Sequence, residues 1–319
     1  MKKYILPVLA LSAVAFTACE NADKTFPDYE GGTSVYFAYQ YPVRTIELGE
    51  DNEINTDLDN AHKFKIVSAM GGAYNGKNIQ VQIKVDESLC ENLYFANGAP
   101  VKPMPSSYYS LASTTLTYDN SFANSLMGQT EVQLTDAFFA DPASLTTTYV
   151  IPVVITGQSG ADRILSGTPL VDGTTPSRVD SKKWDTAPMD YALWCVRFVN
   201  KWHGTYLVKE AGKEIDKTTK RVAVKTTGLN ECTYTNVDGK TGTLKFSGDN
   251  CTITGAGVSG NGEFKQKSEI KAWGNKDRDA LYLKYTVDGK SYDETLVAQV
   301  RTTEGDPYNT VVEFAVEYK

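Results

Sequence analysis

The chain has 319 residues, of which 41% are hydrophobic and 22% charged, and its formal net charge is -7. That length suits two domains. An acidic chain without a basic cluster is poorly suited to nucleic acid or to anionic lipid head groups.

Lys2 and Lys3 precede an apolar run at 5–16, followed by Thr17, Ala18 and Cys19. A basic start, an apolar segment of about 7–15 residues and a small residue before the cut make a secretory signal peptide. The run is shorter than the about 20 apolar residues of a bilayer span. Phe16-Thr17-Ala18-Cys19 resembles the lipobox of bacterial lipoproteins, which implies that Cys19 is acylated and becomes the mature N-terminus; an ordinary signal peptide with an incidental cysteine is the alternative. Removing residues 1–18 takes away two lysines and no acid, leaving 30 bases against 39 acids. Membrane attachment is therefore expected through the N-terminal lipid only. Glu20 and Asp23 resemble the surface-export signal of Bacteroidetes lipoproteins, which implies display at the cell surface.

Residues 19–33 are polar, with Pro27 and Gly31-Gly32, and read as a flexible tether. Strands are then expected at 34–39, 62–67, 78–85, 114–118, 131–134 and 149–156. Ile79, Val81, Ile83 and Val85 share one face, as a half-buried strand requires. Pro152 predicts an edge or bulged strand. A short helix is expected at 87–95, where Leu89 and Leu93 have helical spacing. Segment 158–189 is rich in Gly, Ser, Thr, Asp and Pro and reads as a long surface excursion. Trp194, Val196 and Phe198 then alternate onto one face of a last strand, which runs without a linker into a second domain and so implies a fixed interdomain angle. Asp238-Gly239 and Asp288-Gly289 are hairpin turn signals. Strands fit 205–209, 221–226, 232–236, 244–246, 263–273, 281–287, 291–300 and 311–318. Such a meander favours a small up-and-down barrel, with a second sandwich as the alternative.

Tyr39-Gln40-Tyr41-Pro42-Val43-Arg44-Thr45, Leu48-Gly49, Asp59-Asn60-Ala61-His62-Lys63, Met70-Gly71-Gly72, Tyr108-Tyr109-Ser110-Leu111 and Tyr149-Val150-Ile151-Pro152-Val153 resemble the N-terminal module of a Bacteroidetes two-domain surface lipoprotein family of unknown function, often encoded in polysaccharide-utilisation loci. Phe198-Val199-Asn200-Lys201-Trp202-His203-Gly204-Thr205-Tyr206 resembles the start of its C-terminal module. The resemblance implies an all-β protein: an immunoglobulin-like sandwich over 34–200 followed by a lipocalin-like up-and-down β-barrel over 201–319. It is specific for family and weak for activity.

No glycosidase block, GxSxG elbow or HExxH motif is present, so the chain is not expected to be an enzyme. His203, after a tryptophan at a domain edge, suits a structural hydrogen bond. The acidic stretch 50–60 could offer calcium oxygens, but misses the EF-hand spacing and reads as a solvated loop. No metal and no cofactor are expected. Cys232 and Cys251 are the only disulfide pair considered; buried free thiols are favoured for these two, Cys90 and Cys195.

Sugar rings stack on exposed aromatics while nearby polar groups bind hydroxyls. Trp273 and Tyr308 stand beside polar turns and Trp184 lies in the excursion, which makes these three the carbohydrate-binding candidates; local packing is the competing role of each. Trp194 and Trp202 are assigned to core and domain junction. Asp185-Thr186-Ala187 matches a short O-glycosylation acceptor motif, at Thr186. The expected function is a non-catalytic glycan-binding or accessory protein on the outer membrane, capturing oligosaccharide or polysaccharide near outer-membrane glycan transporter components. A structural or adhesive surface lipoprotein binding protein partners is the alternative.

Overall fold

The computed structural model describes residues 27–51, 54–74, 77–118, 126–272, 276–301 and 312–319. The chain is all-β, as expected, with a curled N-terminal sandwich and a closed C-terminal barrel. No helix among the described residues is long and apolar enough to cross a membrane.

The N-terminal sheet contains β1 (Ser34–Tyr36), β2 (Pro42–Glu47), β3 (Lys63–Gly71), β4 (Gln80–Val85), β6 (Thr115–Thr117), β7 (Met127–Leu134), β8 (Tyr149–Ser159), β9 (Arg163–Ile164) and β10 (Tyr191–Val199), with β5 (Leu93–Phe95) outside it. Its order is β9-β1-β3-β7-β6-β4-β8-β10-β2, and β1/β9 and β2/β10 pair in parallel. Val35, Phe64, Ile66 and Val132 from one end of this path share a core with Ile83, Ile151, Val153, Trp194 and Phe198 from the other. The sheet therefore folds over itself into two layers. The corner is the β6–β7 contact, where Thr117 pairs with Gln129.

Strands β8 and β10 are buried on both faces. Val150, Val154, Leu193 and Cys195 form a second cluster with Leu89, Cys90, Leu93 and Phe95, which is why both strands are near-continuous apolar runs. The helix expected at 87–95 is instead a 3₁₀ turn at Glu87–Cys90 followed by β5; Leu89 and Leu93 face the sheet without a shared helix. Pro152 stands in a central strand, opposite Leu193, and not at an edge. Its carbonyl accepts Asp86 N just past the end of β4. Because N and C=O of one strand residue point the same way, the missing N–H also faces that gap and costs the ladder nothing. The bulge lies further on, between Ile155 and Gly157. Asp28 binds Tyr74 N and Tyr29 N donates to Gly72 O, so the described end of the expected tether lies against the sheet.

The barrel closes through β11 (Gly204–Lys209), β12 (Arg221–Gly228), β13 (Glu231–Thr235), β14 (Thr241–Ser247), β15 (Asn250–Gly255), β16 (Val258–Lys265), β17 (Ala280–Val287) and β18 (Lys290–Val300), each antiparallel to the next. Asp288 (φ 48) and Gly289 (φ 85) both adopt left-handed backbone, as the expected hairpin turn demands. The interior is filled: a Cβ at Gly262 would lie 2.5 Å from Leu283 Cδ2. Trp202 stacks on Phe246 at 3.7 Å and meets Phe264 edge-on, closing the end nearest the N-terminal domain.

The strand expected at 311–318 does not join the barrel. Instead β19 (Val312–Glu313) pairs with β2, and β20 (Val316–Tyr318) pairs with β5. The strand expected at 263–273 ends at Lys265, and Lys271–Ala272 pairs with Lys276–Asp277 in a separate hairpin.

The domains meet tightly. Arg301 Nη2 donates to Leu48 O and Asn200 O at 2.7 and 2.9 Å, tying the last barrel strand to the sandwich and to the junction. Glu47 is 2% exposed, and neither its Oε2 nor Arg301 Nε meets a hydrogen-bond partner among the described residues. Burial pushes the Glu47 carboxyl up to about 7, against the pull of Arg301 and helped by Asp51 and Asp59. The folded state thus holds a proton that the unfolded state has released. This contribution is present below about pH 4.5 and is lost as pH rises through about 7. Glu47→Gln is therefore expected to stabilise the protein by roughly 2 kcal/mol at pH 8 and by little at pH 4.5, measured by urea unfolding at both pH values. An equal effect at both would remove this role.

Candidate functional site

In an up-and-down barrel alternate connections share an end. The β11–β12, β13–β14, β15–β16 and β17–β18 connections lie at the end away from the sandwich, and Asn200 and Arg301 at the other. At that distal end polar groups enter the filling, while Val258 and Val287 carry the apolar core to the turns on one side. Glu294 is 8% exposed, and its Oε2 accepts Tyr234 Oη at 2.6 Å and Tyr285 Oη at 2.7 Å. Both donors share one oxygen, and among the described residues no hydrogen bond is made to Oε1, which leaves it to accept one. Asn236 Nδ2 donates to Tyr285 Oη at 2.9 Å. Burial first, and then the Glu294 carboxylate, push both phenols up, so they remain protonated donors.

Above this cluster Tyr292 stacks on Tyr285, 4.9 Å between centroids and 6° between planes. The β13–β14 and β17–β18 turns stand on opposite walls of the barrel. Tyr292 Oη and Lys290 Nζ both donate to Asp238 Oδ2 at 3.0 Å, so the two walls are bridged across the mouth. Lys290, Tyr292 and, more distantly, Lys220 hold the Asp238 carboxyl below its ordinary range. A cleft of about 370 Å³ lies under the β11–β12 loop at the same end. A shallow concavity of about 590 Å³ lies across β16, β17 and β18. Neither is lined by Glu294, Tyr234 or Asp238; the second touches Tyr285 and Tyr292 beside the exposed Lys284 and Asp293. Phenol rings, a carboxylate with a spare oxygen and an amide together suit a polyhydroxylated ligand.

The cleft between the domains is smaller, about 280 Å³. Its charged groups are already engaged, Glu50 with Lys267, Lys201 with Asp249, and Asp279 with the backbone N–H of Lys267.

Cys19, Trp273 and Tyr308 lie outside the described residues. Trp184 is half-buried in a hairpin of the sandwich, opposite Pro169, and its Nε1 donates to Ser177 O. It shares no contact with the mouth. Thr186, on the same hairpin strand, is exposed. His203 Nδ1 meets Thr226 N and Oγ1, the structural role expected of it. Within the acidic stretch Asp59 is buried, not solvated; it pairs with Arg44 and accepts Glu47 N. Trp194 packs in the sandwich core. Cys90, Cys195, Cys232 and Cys251 are buried free thiols, pushed by burial to about 12, or about 11 for Cys251, and so are unreactive.

Sequence reading missed Tyr234, Asn236, Asp238, Tyr285, Lys290, Tyr292 and Glu294. One signal was available: alternation places Tyr292, Glu294, Leu296 and Ala298 on one face, and a glutamate among inward positions needs a partner.

Residues 29–162 match the family model of a "-like, N-terminal domain", and residues 203–304 match a "Domain of unknown function (DUF5627)". A crystal structure of a structural-genomics protein of unknown function from Bacteroides ovatus is 36% identical, with TM-score 0.76, over 92% of this chain and 100% of that one. The chain belongs to the two-domain family of that Bacteroides protein. No curated protein matches it. Other Bacteroides ovatus structures are far more distant. One of unknown function is 9% identical with TM-score 0.39, over 83% of this chain and 89% of that one. A proposed carbohydrate-binding protein is 12% identical with TM-score 0.28, over 84% and 82%. Neither likeness bears on the function of this family member.

Proposed function

We propose that this protein is a lipid-anchored, non-catalytic glycan-binding or accessory protein of a polysaccharide-utilisation system, displayed on the cell surface, and that it captures oligosaccharide at the distal end of its barrel. The observation that carries this reading is Glu294, an oriented acceptor with a spare oxygen beneath the Tyr285–Tyr292 pair. A sugar stacks an apolar face on such a ring and donates a hydroxyl to such an oxygen. Two phenols hold Glu294 as an acceptor, which suits binding better than proton transfer to a leaving group. The lipobox-like segment ending at Cys19 supplies the anchor, and the mouth opens at the end of the barrel away from the sandwich. A transporter in the outer membrane is the partner to which captured glycan would pass. Thr186 is exposed as a modification site should be.

A glycan array probed with the soluble chain lacking residues 1–19 tests the reading. Binding to at least one polysaccharide, lost in Tyr292→Ala, is the expected result. Binding to no glycan, with capture of a protein partner instead, would overturn it in favour of an adhesive role. Cys19→Ser is expected to leave the membrane fraction, and its retention there would refute the lipid anchor.

A further inference from the structure

We infer that the barrel mouth takes a sugar bearing a free ammonium group, an amino sugar, and that Lys290 fills the ammonium's seat from within the chain. The inference rests on the glycan-capture reading above. Lys290 Nζ lies 4.6 Å from the Tyr292 ring centroid and 3.0 Å from Asp238 Oδ2. A cation between an aromatic face and a carboxylate is the arrangement by which proteins recognise amines. The seat is held firmly: Tyr285 backs the Tyr292 ring, and Tyr292 Oη is fixed on the same Asp238 oxygen.

Its occupant is held weakly. Lys290 and Asp238 side chains are 66% and 45% exposed, and solvent screens an ion pair so exposed. A ligand ammonium can therefore displace Lys290 at little cost. Once Lys290 swings out, the crossing between the two walls thins to the Tyr292–Asp238 bond. Glu294 lies two residues deeper on the same face of β18, with Oε1 left to take a hydroxyl. Lys220 is then the cation that still acts on Asp238; Lys240 is directed to Asp288. A neutral sugar would leave the Asp238–Tyr292 seat unused, and an acidic one would meet two carboxylates.

Isothermal titration of the chain from Glu20 onward, which keeps every described residue, tests the inference. The probes are a β-1,4-linked glucosamine tetramer, cellotetraose and tetralysine. The glucosamine tetramer is expected to bind most tightly. Lys290→Ala is expected to tighten it about fivefold by vacating the seat, and Glu294→Gln to weaken it about tenfold. Cellotetraose binding as tightly as the glucosamine tetramer would overturn the inference and leave the glycan reading standing. Equal binding of tetralysine would overturn it by showing that charge alone suffices, as would weaker binding of the glucosamine tetramer in Lys290→Ala. Binding of no oligosaccharide, together with a blank glycan array, would remove both.

Discussion

Deletion of residues 312–319 is expected to lower the stability of the sandwich by about 3–5 kcal/mol while the barrel stays folded. Phe314 packs between Tyr41 and Phe95, with ring centroids 5.5 and 5.2 Å away. Val316 and Tyr318 cover the cluster of Leu93, Phe95, Val150 and Cys195. Three half-buried apolar side chains each contribute on the order of 1–1.5 kcal/mol, and the β5 and β2 edges also lose their ladder partners. Urea unfolding followed by a sandwich probe, such as Trp194 fluorescence in a background with Trp184, Trp202 and Trp273 each replaced by Phe, would show the shift. The newly bared patch should bind a hydrophobic dye. An unchanged midpoint would mean that the tail lies on the sandwich without stabilising it.

Trp202→Ala is expected to cost about 3–5 kcal/mol of barrel stability. The ring is 3% exposed, lies 9° from parallel with Phe246 and fills the barrel end beside the junction. Its loss opens a cavity whose walls, the strand ends of β14 and β16, are held in register by the closed ladder and cannot collapse inward. Trp202→Phe should cost only about 1–2 kcal/mol, because the stack survives and the indole Nε1 has no hydrogen-bond partner among the described residues to forfeit. Thermal melts of the three proteins would rank them. Equal losses for Ala and Phe would show that the indole's extra ring, and not the stack, is what matters.

The strands were legible because alternation is written locally. Ile79, Val81 and Ile83 all turn into the core, as do Trp194, Val196 and Phe198. The misreadings have nonlocal causes. Pro152 is tolerated in mid-sheet because β4 stops beside it. Leu89 and Leu93 have helical spacing, yet each packs on the sheet from a different element. The tail at 312–318 alternates like a barrel strand, but the ladder of β11 and β18 already closes the barrel, so it pairs with the sandwich.

The site was the least legible part. Reasoning from exposed aromatics led to Trp184, whose indole is tied to Ser177 O, and to Trp273 and Tyr308, which lie outside the described residues. Tyr234, Tyr285 and Glu294 are 9 to 60 positions apart, and nothing in their local sequence joins them.

By itself the sequence determined the all-β class, the turns at Asp238-Gly239 and Asp288-Gly289, and the shared faces of Ile79, Val81 and Ile83 and of Trp194, Val196 and Phe198. These depend on a two-residue period and on backbone preferences that act over a few positions. Only the tertiary structure decided that Tyr234, Tyr285 and Glu294 share one space, that Lys290 and Tyr292 reach Asp238 across the mouth, and that the tail returns to the sandwich. Those depend on strand order and register around a closed ring, where residues distant in sequence become neighbours through hydrogen bonds that no local pattern encodes.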